Sequence, residues 1–364
     1  MRASSLLTRE QCTALKGVAI LSIVLHNFCH LLFPEFSANE YEFAPWHLQR
    51  LLHMVQWQLT TSPAQSHIEW LPLFLSLLFE IGVYLFLFLS GYGLVKKHES
   101  DGAARLRPVP FMAQRYLKLL RLMLLPFIAA VALKWWLDGR TPTDLPHFVA
   151  QIAMVINLMP DPRRFIFPGP YWFLGMIMEM YLLYAVALHC PPGAARWRRW
   201  LPAVALAAYF AAHLCLEPRG PVIVYLRYNV LLGIMPFTLG VMAARRSWSA
   251  VRWRAWWLWL LLAAMAVALW VVNSNYYAWL LMPAVIVTGG VCLMKLCGRR
   301  LTRVFTWLGT VSAALFVTHP IVRMLLLDHV VEHHCPLTGT LLYLACALLL
   351  ATAYHWLLRR LPRW

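Results

Sequence analysis

The chain has 364 residues, of which 61% are hydrophobic and only 13% are charged. Its formal net charge of +17 would suit nucleic-acid binding in a soluble protein, but the basic residues crowd into loops between long apolar runs, which argues against that function. A helix needs roughly 20 apolar residues to cross a bilayer. Ten runs come close to that length: residues 13–33, 71–95, 116–137, 171–190, 200–216, 222–243, 255–273, 278–297, 304–327 and 339–358.

We therefore predict an all-α polytopic membrane protein, a single domain over residues 1–364 with about ten transmembrane helices. Basic residues are concentrated in alternate loops, whereas the intervening loops carry acidic residues such as Glu35 and Asp328. Because positively charged loops stay in the cytoplasm, both termini are predicted to be cytoplasmic. No small-residue cleavage site follows the first run, so we interpret it as an uncleaved span and not as a signal peptide.

Two apolar segments do not fit the pattern of spans. Residues 34–70 form the longest predicted outer loop, and the helical pattern over residues 47–59 has one polar face, which predicts a helix on the membrane surface. Residues 147–160 are apolar but short, and an eleventh span there would move the basic residues near 196–199 outside. We therefore predict that residues 147–160 are re-entrant or interfacial.

Ionisable side chains lie inside several predicted spans, where each costs at least a few kcal/mol. They are Lys16, His26, His30, Glu179, Arg227, His319 and Arg323. Ten residues at about 1.5 Å each place His26 roughly 15 Å further along the first helix than Lys16. A hydrogen bond to a carbonyl would explain a single histidine, and snorkelling would explain a single arginine, but several groups at the depth of His26 favour an active site.

Five segments, in order along the chain, resemble motifs of acyltransferase family 3, a family of integral-membrane O-acyltransferases. They are LKGVAILSIVLHNF at residues 15–28, GVYLFLFLSGY at 82–92, RYLKLLRLMLLP at 115–126, PYWFLGMIMEMYLLY at 170–184 and LGTVSAALFVTHPI at 308–321. The resemblance implies transfer of an acyl group from a thioester donor, acetyl-CoA, to a hydroxyl group of a carbohydrate. That reaction needs a general base with a pKa near 7, which suits histidine.

The resemblance and the depth argument together give three sets of candidate site residues, and no metal ligands. The catalytic candidates are His26, with His30 one turn above it as the reserve, Glu179 and His319. Candidates for binding the acyl-CoA donor are Lys16, Arg115, Lys118, Arg121 and Ser90; the cations would bind its phosphates, although positive-inside topology explains them equally. Candidates for contacting the substrate or its oxyanion are Asn27, Tyr171, Trp172, Arg227 and Arg323.

The chain departs from the family pattern at two candidate positions. The family has Arg, ten intervening residues and then His, whereas here Lys16 replaces the Arg and nine residues precede His26, with Asn27 at the usual position of the His. Either a local bulge realigns the helix, or His26 acts from a different direction. Glu179 lies two positions later than the acidic residue of the family.

Other classes of protein remain open at this point. A secondary transporter or flippase of glycans or small solutes would also place ionisable groups near the midplane, but would more often have broken helices in matching halves. A glycan ligase would need a larger outer loop, and a purely structural membrane protein would not justify the cost of the buried ionisable groups. The expected partners are the lipid bilayer of a bacterial plasma membrane, acyl-CoA and a carbohydrate acceptor, with a homo-oligomer as an option and no nucleic acid.

Overall fold

The computed structural model describes residues 5–32, 70–78, 81–99, 106–189, 200–218, 220–249, 251 and 253–361, together with positions 43, 49, 52, 53, 56 and 60. Within these residues the chain is helical and has no β-strand. The predicted outer segment 34–70, with its surface helix, lies almost wholly outside the described residues.

Fifteen α-helices are defined in the described residues. In chain order they are α1 Arg9–Leu32, α2 Trp70–Leu78, α3 Gly82–His98, α4 Pro108–Asp138, α5 Leu145–Ile152, α6 Pro162–Phe165, α7 Trp172–His189, α8 Leu201–Cys215, α9 Pro221–Leu226, α10 Val230–Arg245, α11 Ala255–Ser274, α12 Tyr276–Trp279, α13 Met282–Leu296, α14 Arg299–Glu332 and α15 Pro336–Arg360.

Six helical stretches of the described chain are long and apolar enough to cross a bilayer. They are Arg9–Leu32, Pro108–Asp138, Gly169–Ala187, Ala255–Val272, Arg299–Glu332 and Pro336–Arg360. The prediction of an all-helical fold with several spans is therefore confirmed. The number ten and the cytoplasmic position of both termini stay predictions.

Three of the ten predicted runs are not single helices. The run 71–95 is divided between α2 and α3, the run 222–243 between α9 and α10, and the run 278–297 begins in α12 and continues in α13. Between α9 and α10 the backbone of Asn229 is extended, with φ −112° and ψ −177°, so the helix cannot continue. Broken helices, which the sequence did not reveal, are therefore present in this fold.

The segment 147–160 consists of short pieces. It begins in α5, of eight residues, and continues through a turn at Met154, whose φ is 59°, to a 3₁₀-helix at Ile156–Leu158. The side chain of Asp144 accepts a hydrogen bond from the backbone N–H of His147 and so caps α5. These pieces are too short to span a bilayer. Their depth in the membrane stays a prediction.

Small residues bring two helix pairs into close contact. A Cβ added at Gly17 of α1 would collide with the carbonyl oxygen of Phe305 in α14, and one at Gly309 would collide with that of Thr13. Gly91 of α3 approaches the backbone of α10 in the same way. Close approach through glycine is the usual way in which membrane helices pack. The pair α1 and α14 is the more important for the site, because both helices carry its histidines.

Helices α1 and α14 run parallel. Gly17 lies beside Phe305 and Gly309, and further along both helices Arg323 donates a hydrogen bond to the backbone of Asn27. His26 and His319 therefore lie at nearly the same level, within about one turn of each other.

Candidate active site

His26 is buried, with 1% of its surface exposed, and its orientation is fixed by a different helix. Its Nδ1 lies 2.6 Å from the carbonyl oxygen of Ser76, in the last turn of α2. The last carbonyls of a helix have no partner within it, so this oxygen is available as an acceptor. A carbonyl can only accept, so Nδ1 carries the hydrogen and the lone pair of neutral His26 is on Nε2. The contact thus sets the tautomer that a general base needs.

His30 lies directly above His26 on the same face of α1. The two imidazole rings stack with their centroids 4.8 Å apart and an angle of 7° between their planes. Nδ1 of His30 lies 2.8 Å from the carbonyl oxygen of His26, so its lone pair in the neutral form is also on Nε2. The structure therefore brings the two alternative bases into contact.

His319 is the second fully buried histidine at this level. Its Nδ1 lies 3.0 Å from the carbonyl oxygen of Leu315, one turn earlier in α14. Its Nε2 is buried and has no hydrogen-bond partner in the part of the chain that the structure describes. Pro320 follows, and because proline has no N–H it cannot donate to the carbonyl of Phe316. The carbonyl of Phe316 therefore has no backbone partner at position 320.

Arg323 and Asn27 connect α14 to α1 next to the histidines. Nη1 of Arg323 lies 3.3 Å from both the backbone oxygen and the side-chain oxygen of Asn27. The side-chain amide of Asn27 donates to the carbonyl of Ile23 at 3.0 Å. Arg323 therefore joins α14 to α1 beside His26 and carries a permanent positive charge there.

Two other predicted oxyanion donors have different positions. The Tyr171 hydroxyl donates to the carbonyl oxygen of Val317, 2.8 Å away, so it joins α14 to the segment before α7. Trp172 packs edge-on against Tyr228, and its backbone carbonyl accepts from Asn157 at 2.7 Å. Tyr171 is therefore close to His319 along α14, whereas Trp172 belongs to the packing around the break between α9 and α10.

Four of the five predicted donor-binding residues line one cavity of about 330 Å³. Those four are Lys16, Ser90, Lys118 and Arg121. Its remaining lining is apolar or neutral, and no Asp or Glu lines it among the described residues. We call it the donor cavity. Arg115, the fifth predicted residue, lies beside it, with its guanidinium carbon 4.9 Å from the ring centre of Tyr181, a lining residue. A cation-rich cavity without acidic partners suits a polyanionic ligand.

Arg121 has a structural contact as well. Its Nη2 donates to the backbone carbonyl of Leu358 and, at 2.7 Å, to that of Leu361. These carbonyls belong to the end of α15, where they have no partner within the helix. Arg121 therefore holds the end of α15 against the donor cavity.

Glu179 and Arg227 lie away from the histidines, at the break between α9 and α10. Oε2 of Glu179 accepts from the backbone N–H of Val230 at 2.9 Å, at the start of α10, where a negative charge is favourable. Arg227, buried at 6% exposure, donates to the Tyr228 hydroxyl at 2.8 Å. Both residues stabilise this turn, and the structure does not bring them to His26.

Sequence reasoning missed three groups that shape this region. The Ser76 carbonyl, which orients His26, has no signal in the sequence because any residue supplies a carbonyl. The Tyr343 hydroxyl donates to the carbonyl of Val24 at 3.3 Å, and its ring stacks on Phe28. Asn157 was recognisable as a polar residue in an apolar run. Among the described residues, no group of three or more His, Cys, Asp or Glu is arranged to hold a metal ion.

Taken together, the fold and the site define a multi-pass integral membrane protein that holds buried histidines just beyond one end of a cation-lined cavity. The family model described as an acyltransferase domain matches residues 11–360, which is almost the whole chain. The chain therefore belongs to acyltransferase family 3, and the predicted resemblance is confirmed. No curated protein and no solved structure is similar enough to the chain to count as a match.

Proposed function

We propose that this protein is a membrane-embedded O-acyltransferase that moves an acetyl or similar acyl group from acyl-CoA to a hydroxyl of a cell-envelope or surface carbohydrate. The observation that carries the proposal is the donor cavity, in which Lys16, Ser90 and Lys118 line one space that extends along α14 to Phe316, one turn before His319. In a chain of an acyltransferase family, this arrangement fits a donor with an anionic head and a reactive thioester end.

The dimensions of α1 agree with such a donor. Lys16 and His26 are ten residues apart in a continuous helix, which corresponds to about 15 Å along its axis. This is comparable to the length of the pantetheine arm that separates the phosphates of CoA from its thioester. A CoA whose phosphates contact Lys16 and Lys118 would therefore bring its thioester to the level of the histidines.

The reaction follows from the tautomer of His26. Nε2 of His26 accepts the proton of the acceptor hydroxyl as its oxygen attacks the thioester carbonyl. The new ester C–O bond forms, the C–S bond breaks, and the CoA thiolate leaves and takes up the proton from His26. Arg323, which contacts Asn27 next to His26, would stabilise the negative charge that develops on the carbonyl oxygen.

The donor and the acceptor would reach the protein from opposite sides of the membrane. Basic loops and the cationic end of the donor cavity would face the cytoplasm, where acyl-CoA is made, with the chain in a bacterial plasma membrane and both termini inside. The acceptor would approach from the opposite side.

A transporter or flippase is the second candidate function, and the broken helices α2–α3 and α9–α10 are the observation that favours it. Consumption of acyl-CoA separates the two functions, because a transporter would leave the thioester intact. Acetyl transfer or hydrolysis from labelled acetyl-CoA by the purified protein is therefore expected.

The donor site is tested by titrating CoA into detergent-purified protein in a calorimeter. Lys16→Gln and Lys118→Gln are each expected to weaken binding about tenfold or more, because a hydrogen bond to a charged group contributes about 1.5–3 kcal/mol. Affinity is also expected to fall as salt is added. Lys134→Gln is the matched control, since Lys134 lies on the same helix as Lys118 but pairs with Asp138 at 2.9 Å. Unchanged affinity in both cavity variants would refute this donor site.

A further inference from the structure

The donor cavity ends on three aromatic rings, each contributed by a different helix. Phe86 comes from α3, Phe173 from α7 and Phe316 from α14. The ring centres of Phe86 and Phe173 are 6.2 Å apart, and those of Phe173 and Phe316 are 5.6 Å apart, both in tilted or edge-on geometry. Such distances are typical of aromatic pairs in contact. We call these three residues the phenylalanine wall.

On α14 the wall lies between the cavity and His319. Ser312 and Ala313 line the cavity, Phe316 is the next lining residue along the helix, and His319 follows after one further turn. The ring centres of Phe316 and His319 are 6.2 Å apart. Phe316 is therefore the residue that separates the cavity from this histidine.

On α7 the wall residue is also the lining residue nearest to the histidines. The hydroxyl of Tyr171, at the start of this segment, bonds to the carbonyl of Val317, so this end of α7 lies beside the upper part of the cavity on α14. Phe173 lies two residues after Tyr171, whereas Tyr181, two turns later, lies under Arg115 at the cationic end.

On α3, which runs antiparallel to α1, the wall residue is again the lining residue nearest to the histidines. Gly82 packs against Ala19 of α1, and the Tyr92 hydroxyl bonds to the backbone of Leu7. Phe86 is therefore nearer to the histidines than Ser90 is. Three helices thus each contribute a phenylalanine at the same end of the cavity, while the cations occupy the other end.

Phe316, the wall residue next to His319, has little room to recede. Phe316 is 7% exposed and packs with its ring centre 6.5 Å from that of Tyr171, which is itself fully buried and bonded to α14. Packed interiors do not yield space for additional methylene groups without strain. A group at the end of the donor must therefore fit in front of these rings.

We propose that the phenylalanine wall limits the length of the acyl chain on the donor, so that the site takes acetyl-CoA and discriminates against longer acyl-CoA. The inference rests on the proposed function and deepens it. The methyl of an acetyl group packs against the wall, and the thioester carbonyl lies on the cavity side of the rings, about one turn of α14 before His319. Each further methylene group has to enter space that the rings fill, which a close-fitting apolar pocket penalises by about tenfold or more.

The test compares the binding of acetyl-CoA and butyryl-CoA, measured by calorimetry on the full-length protein in detergent. The wild type is expected to bind butyryl-CoA at least about tenfold more weakly than acetyl-CoA. Phe316→Ala is expected to remove most of this difference. Phe86→Ala provides a second variant, because Phe86 is only partly buried and its loss perturbs folding less. Leu119→Ala, which enlarges the same cavity beside Lys118, is the control and should retain the wild-type preference.

The outcomes separate this inference from the proposed function. If the wild type binds neither CoA nor any acyl-CoA, the proposed donor site is wrong and the inference falls with it. If CoA and acetyl-CoA bind but butyryl-CoA binds equally well, the donor site stands and the wall does not select chain length. The wall is also rejected if Phe316→Ala and Phe86→Ala both fold and keep the wild-type preference, or if Leu119→Ala relaxes the preference as much as they do.

Discussion

Replacing His26 by Asn should abolish most acyl transfer and leave the fold in place. The side-chain amide of Asn can donate to the Ser76 carbonyl from a position close to that of Nδ1 in His26, so the link between α1 and α2 is retained. Asn has no group that accepts a proton near neutral pH. The variant therefore removes the base and keeps the contact that positions it.

The base function of His26 and its hydrogen bond to Ser76 predict two separate effects of substitution, one on turnover and one on folding free energy. Loss of a positioned general base lowers turnover by about 10²- to 10⁴-fold. Loss of the donor to the buried Ser76 carbonyl costs about 1–3 kcal/mol of folding free energy, because the acceptor is then left unpaired. His26→Asn should show only the first effect, whereas His26→Ala should show both.

The assay is transfer or hydrolysis of labelled acetyl-CoA, with the thermal unfolding midpoint of each purified variant measured in parallel. His30→Asn is the matched comparison, since His30 stacks on His26 but its Nδ1 bonds to the backbone of its own helix. Near-wild-type turnover in His26→Asn together with loss in His30→Asn would move the base up one turn. Undiminished turnover in both variants would refute the histidine mechanism on α1.

Three further predictions concern the scaffold. Glu179→Gln should keep the hydrogen bond to Val230 and wild-type stability, whereas Glu179→Ala should lower the free energy of unfolding by about 1–2 kcal/mol. A Glu179→Gln protein that is normally stable but inactive would indicate that Glu179 is catalytic. Gly309→Ala should destabilise the protein by about 1–3 kcal/mol because its methyl group meets the backbone of α1, whereas Gly93→Ala, with open space around it, should not; equal unfolding midpoints would contradict this packing. Reporter fusions after residues 100, 195, 250 and 364 should signal cytoplasm, and one near 332 outside; a cytoplasmic signal near 332 would rule out the ten-span topology.

The sequence predicts the class of fold well because hydropathy acts over whole helices. Long apolar runs indicated several membrane helices and the motif order indicated the family, and both predictions are confirmed. The interruptions were missed because hydropathy is averaged over about 19 residues, so a three-residue turn between α9 and α10 hardly changes the average. The polar pair Arg227 and Asn229 was the available signal, since two such residues so close together are unusual within a span.

For the candidate site, charge and motif order were enough to select side chains but not to assign their contacts. Lys16, Ser90 and Lys118, which lie far apart in the chain, line one cavity. The contact of Glu179 with Val230, 51 residues later, and the contact of Arg121 with the end of α15 depend on how distant helices meet. Such contacts have no local sequence pattern, because every residue has a backbone carbonyl and every residue except proline has a backbone N–H.

The unusual spacing between Lys16 and His26 can now be interpreted. Helix α1 is a continuous α-helix from Arg9 to Leu32, so no bulge realigns the two residues and the first of the two explanations is excluded. Ten residues at 100° each leave His26 about 80° around the axis from Lys16. Lys16 accordingly lines the donor cavity while His26 contacts α2. Under the proposed function, the thioester therefore approaches along α14 as far as Phe316, and the acceptor hydroxyl must reach it from the side of His319 and His26.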